Sequence, residues 1–168
     1  MRRVVLTTGA EVTLRRADQD LARWAGAARY ERNRRAGTTG EFLAATPLDG
    51  EITGVGAEIA FVRLARLVLP KLVLDANWVG SPDCTLPNGW TVDVKNTNSP
   101  RQNIYAKRTD YATIFVSTTG TVPTYRFLAW VERDVLIHPD HWNWSLSGWR
   151  YCMGGRHSWL HRELVIAS

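Results

Sequence analysis

Between Trp90 and Lys95 apolar and polar side chains alternate one for one, as Trp90-Thr91-Val92-Asp93-Val94-Lys95. That period predicts a β-strand with Thr91, Asp93 and Lys95 on one face and Trp90, Val92 and Val94 on the other. Pro87-Asn88-Gly89 is a turn signal, so a hairpin should join a strand near Asp83 to the strand at 90–96. Residues 54–69 are apolar on nearly all sides, the pattern of a helix packed into a core. Within it Glu58 shares a face with Val62, Ala65 and Leu69. Asp18 to Arg35 predicts a second helix, with Leu21, Trp24, Ala25, Ala28 and Tyr30 as its apolar side. Gly37 to Gly40 makes a joint, Glu41 to Ala45 a helical turn, and Pro47 to Gly50 a loop.

Further strands are expected at residues 4–7 (or an extended arm there), within 72–79, and at Tyr111–Val116 and Tyr125–Glu132. The turn-rich Thr118–Thr121 should separate the last two. Ser99-Pro100 starts a short helix running to Arg108, because proline suits the first helical position. Helices interleaved with strands predict an α/β (α+β) fold, a mixed β-sheet flanked by helices.

The chain has 168 residues and a net charge of +5. Residues 1–35 carry nine arginines against Glu11, Asp18, Asp20 and Glu31, and the remainder is neutral. An arginine-rich segment on a neutral body suits phosphate contact, the alternative being a solvated helix face. Arg63, Arg66 and Lys71 break the longest apolar run, so no membrane span is expected. The first residues lack a long apolar stretch, and a cytoplasmic location is the expectation. Cys84 and Cys152 are too few for a disulfide framework or a Cys-only zinc site.

Ser81-Pro82-Asp83 places a second acid ten residues before Asp93. Two acids beside a lysine can hold a divalent cation and a positive charge at a scissile phosphate. Magnesium, with manganese as substitute, takes oxygen ligands and needs few carboxylates. It would act as a Lewis acid, and an ammonium such as that of Lys95 would stabilise developing charge. The alternative for Asp93 and Lys95 is a surface ion pair, which contributes roughly 0–1 kcal/mol.

Pro82-Asp83 followed by Asp93-Val94-Lys95 resembles the signature of the PD-(D/E)XK nuclease superfamily, with Glu58 on the upstream helix in the family's order. The resemblance implies a restriction-endonuclease-like core over 51–168, carrying residues 1–50 as a basic helical extension. It implies a metal-dependent DNA endonuclease with Asp83, Asp93, Lys95 and Glu58 as catalytic residues. Asp83, Asp93, the Val94 carbonyl and Glu58 would be the metal ligands. Arg29, Arg32, Arg34, Arg35, Arg101, Gln102 and Lys107 are the candidate DNA contacts. Other readings are an inactive nuclease-like binding module and a Holliday-junction resolvase, the latter needing a homodimer for two symmetric cuts. The family's iron–sulfur branch needs four cysteines and is not expected.

Two other groups compete. His138-Pro139-Asp140-His141 offers two imidazoles, but its proline disfavours a helix and no further ligand pair is evident, so a capped turn is expected. Trp142, Trp144, Trp149, Tyr151 and Trp159 could stack on bases but serve equally as core fillers. Gly154-Gly155-Arg156 lacks the setting and the lysine of a phosphate loop.

Overall fold

The computed structural model describes residues 3–37, 46–69, 81–98, 103–145, 148–154 and 158–167. In chain order the elements are β1 (Arg3–Thr7), β2 (Glu11–Thr13), α1 (Arg16–Arg35), α2 (Pro47–Leu64), β3 (Cys84–Thr85), β4 (Thr91–Asn96) and β5 (Ile104–Ala106). They continue with β6 (Ile114–Thr121), β7 (Thr124–Glu132), α3 (Arg133–Leu136), β8 (Trp142–Ser145), β9 (Gly148–Met153) and β10 (Glu163–Ala167). The fold is mixed α+β. Among the described residues the main sheet has the strand order β2-β7-β6-β4-β3, with β4 parallel to β6 and the other pairs antiparallel. Two smaller antiparallel sheets accompany it, β1-β10 and β5-β9-β8. The described elements among the first fifty residues are built into this framework: β2 borders β7, and α1 packs along α2. The expected boundary near residue 50 falls inside α2.

The core helix begins earlier and ends sooner than its apolar pattern predicts. Residues 47–50, expected as loop, are its first turn. Thr46 caps it by accepting the Asp49 N–H at 3.1 Å, and Pro47 occupies the first turn, where no N–H is needed. At the other end Arg66 takes a left-handed φ of 55°. The Arg66 and Leu67 N–H groups then close back onto the carbonyls of Arg63 and Val62, a Schellman ending that stops the helix before residue 69.

Two glycines let α2 lie close to both neighbours. A Cβ on Gly26 would fall 2.6 Å from the Ile52 backbone, and one on Gly56 would collide with the Tyr125 ring. Tyr125 in turn donates its hydroxyl to the Thr53 carbonyl at 3.1 Å. Ile59, Phe61, Val92, Ile114, Val116 and Phe127 fill the core on this side of the sheet. The opposite face buries Phe115, Ala129 and Val131 against Ile104, Leu136 and Met153.

The hairpin at 87–89 is present, with Gly89 at φ 87° and the Leu86 N–H donating to the Trp90 carbonyl at 2.8 Å. The helix expected over 100–108 is not formed in its described part. Residues 104–106 instead alternate buried, exposed, buried and pair with β9. The parallel β4–β6 pair requires a crossover, and this crossover lends a strand to the small sheet. Thr118–Thr121, expected as a turn, are strand residues, in keeping with the β-preference of threonine, and the turn falls at 122–123. The expected helical turn at 41–45 and strand at 72–79 lie outside the described residues, as does the Ser99-Pro100 helix start. Among the described residues no helix is long and apolar enough to cross a membrane.

Candidate active site

Strand β3 pairs with β4 only opposite Thr91 and Val92. Beyond that point, among the described residues, Asp83 takes up the edge of β4. The Asp83 N–H donates to the Val92 carbonyl, and its Oδ2 accepts the Val94 N–H, both at 2.7 Å. A carboxylate thus stands where the next strand residue would have placed its carbonyl. In a strand a residue's N–H and C=O point the same way, so the Val94 carbonyl is directed to this edge too.

Asp93 and Lys95 lie on the Phe115 side of β4, as the alternation predicts. The Lys95 Nζ donates to Asp93 Oδ2 at 2.9 Å and to Asp110 Oδ2 at 3.3 Å. Its ammonium lies 6.0 Å from the ring centre of Tyr105 and 5.8 Å from that of Phe115. Asp93 and Asp110 are buried, and the Lys95 side chain is only 18% exposed. Far from being the surface ion pair that the sequence also allowed, this is an interior one.

Glu58 comes from α2 and is buried. Arg29 of α1 grips it with both guanidinium nitrogens, at 2.5 and 2.8 Å. Arg29 was an expected phosphate contact; in the fold it faces inward, against an expected metal ligand. Glu51, two turns of α2 away, accepts from Asn33 at 2.6 Å.

The charges in this region are strongly coupled. Burial, reinforced by Glu58 and Asp93, pushes the Asp83 carboxyl well above the usual aspartate range against the pull of the Val94 N–H and Lys95. Burial also raises Asp93, opposed by Lys95. For Lys95 burial favours the neutral amine, but Asp93 and Asp110 outweigh it and hold the ammonium above its ordinary value. Burial, then Asp83 and Glu58, push the Cys84 thiol up to about 12. Four carboxyl groups, Glu58, Asp83, Asp93 and Asp110, thus share two cations, Arg29 and Lys95.

Among the described residues no three His, Cys, Asp or Glu side chains close into a ready metal cage. Glu58 is held by Arg29 and Asp110 by Lys95. Asp83 and Asp93, whose carboxyl groups burial makes less acidic, offer oxygen donors only, a set that fits magnesium rather than zinc.

The remaining candidates are dispersed. Arg32 is half-buried beside Asn33, Arg34 pairs with Glu31 at 3.0 Å, and Arg35 is exposed. Lys107 has an exposed side chain, while its N–H donates to Asp110 at 2.9 Å. Arg101 and Gln102 lie outside the described residues. His138 caps the 3-10 turn Pro139–His141 through the Asp140 N–H at 3.3 Å. Trp142 packs on Tyr151 with ring centres 4.7 Å apart.

Sequence reasoning missed Asp110, the pairing of Arg29 with Glu58, and Ser117. Ser117 sits beside Lys95 in the parallel register, and its buried Oγ meets no hydrogen-bond partner among the described residues. Only the Lys-x-x-Asp turn before β6 hinted at Asp110, and nothing local tied it to Lys95. No family model, curated protein or solved structure matches this chain.

Proposed function

We propose that this chain is a divalent-metal-dependent nuclease that hydrolyses phosphodiester bonds of DNA, on a restriction-endonuclease-like core. One observation carries the reading: the half-buried Asp83 and Lys95 and the buried Asp93 gather along β4, with Glu58 approaching from α2. Among the described residues Glu58, Asp83, Asp93 and Asp110 outnumber the cations that bond them, Arg29 and Lys95, and a divalent cation would offset that surplus. Burying such charge without a partner is costly, and burial accordingly favours the protonated forms of Asp83 and Asp93.

Asp83 and Asp93, with the Val94 carbonyl, would hold magnesium or manganese, and Glu58 would join once Arg29 lets go of it. The cation supplies Lewis acidity at the phosphorus. Lys95 directs its ammonium at the phosphate oxygens and stabilises the charge that grows on them in the transition state. Asp93 keeps that ammonium in place and charged. Arg32, Arg34, Arg35 and Lys107, together with Arg101 and Gln102, would contact the DNA backbone, and a homodimer would be needed for paired cuts.

The test is cleavage of linear, supercoiled, single-stranded and four-way-junction DNA with magnesium, manganese or chelator. Asp93→Ala and Lys95→Ala should each lower the rate at least about 100-fold while leaving DNA affinity nearly unchanged. Metal-independent cutting, or full activity in both variants, would refute the assignment.

A further inference from the structure

Resting on the nuclease reading, we infer that Asp110 is a positioning residue that aims the Lys95 ammonium at the scissile phosphate. A lysine ammonium has three N–H donors and a flexible stem, so a catalytic lysine must be held from several sides. Here two of the three donors are taken, by Asp93 on the same strand and by Asp110 from the loop before β6. The third meets no acceptor among the described residues. The Tyr105 and Phe115 rings flank the ammonium, with centres 6.0 and 5.8 Å away.

Asp110 is itself held on both sides. Its Oδ2 accepts the Lys107 N–H at 2.9 Å, and its backbone carbonyl accepts Arg133 Nε at 3.1 Å. Arg133 starts α3, and its own N–H donates to the Thr113 carbonyl at 3.0 Å. The loop is therefore fastened to β7 and α3, and a buried carboxylate is delivered to Lys95 from across the sheet face. An ammonium held by two acids and by its own stem has its remaining N–H fixed in one direction.

The pair to compare is wild type and Asp110→Asn. The amide keeps an oxygen for the Lys107 N–H, so the loop survives, but it removes the charge that anchors Lys95. Thermal unfolding checks that the variant is folded. The first readout is steady-state cleavage: kcat should fall about 100-fold, with KM within about twofold. The second is the 1H–15N signal of the Lys95 ζ-ammonium in metal-free protein without DNA, assigned by its loss in Lys95→Ala. Slow proton exchange should make it visible in wild type, and Asp110→Asn should broaden it away.

An unchanged kcat together with a retained ammonium signal overturns the inference. So does a loss of kcat no larger than the unfolded fraction explains. Should wild type cut nothing, the nuclease reading falls, and the ammonium signal still decides whether Asp110 positions Lys95: loss in Asp110→Asn supports it, persistence overturns it.

Discussion

Two ion pairs cross from α1 to α2, and they differ in their company. Near the start of α1, Asp18 accepts from Arg63 at 2.6 and 3.1 Å, an acid and a base with no other charge bonded to them among the described residues. Asp18 also sits in the first turn of its helix, where the dipole favours an acid. Further along, Arg29 grips Glu58 in the same bidentate way, but within reach of Glu51 and Asp83. The first pair fastens two helices. The second compensates one acid in a group that has more acids than bases. A buried salt bridge alone says little about function; an uncompensated surplus beside it says more.

The largest contrast comes from removing the two arginines. Arg29→Ala strands Glu58 in the interior and should cost about 3–5 kcal/mol. Arg63→Ala, whose side chain is 41% exposed and whose buried acid is backed by a helix terminus, should cost less, about 1–3 kcal/mol. Urea unfolding of both variants measures the difference, and equal losses would erase the distinction between the two pairs.

A smaller effect of opposite sign sharpens it. Asp83→Asn keeps an acceptor for the Val94 N–H and removes one surplus charge. It should stabilise the metal-free protein by about 1 kcal/mol near neutral pH while abolishing metal-dependent cutting. The sign follows from linkage. Folding raises the pKa of Asp83, so between its unfolded and folded values the native state binds the extra proton. Stability of the metal-free wild type must therefore fall as pH rises through that window, starting from about pH 4. Asp93 acts in the same direction. Denaturant midpoints across that range should show a shallower decline in Asp83→Asn, and parallel curves would count against a shared carboxylate site.

The smallest effect concerns Ser117. A buried hydroxyl without a partner contributes no hydrogen bond to stability. Ser117→Ala should therefore change the unfolding free energy by no more than about 0.5 kcal/mol, in either direction. A loss above about 1.5 kcal/mol would mean that the hydroxyl is bonded after all.

Much of the frame was legible in the chain. Strand β4 and the sides of Asp93 and Lys95 follow from period-two alternation, and the hairpin before it from Pro87-Asn88-Gly89. The core helix was legible in its middle but not at its ends. Gly50, Gly54 and Gly56 obscured its start, although Thr46 and Pro47 carried a capping signal. Strand β5 was misread as helix because three residues hold too short a pattern to outweigh a Ser-Pro start, and its partner in β9 is far along the chain.

Local order determined what could be known without the fold. Side-chain periodicity, turn chemistry and the clustering of arginine before residue 36 are properties of neighbours in sequence, and they sufficed to bring Asp83, Asp93 and Lys95 to one strand pair. Only the tertiary structure decided which charges compensate which. Arg29 meets Glu58 across 29 residues and Lys95 meets Asp110 across 15, through a helix pair and a crossover whose paths no local pattern specifies. Burial makes those meetings matter, because away from water a charge must find a partner or give up its ionisation.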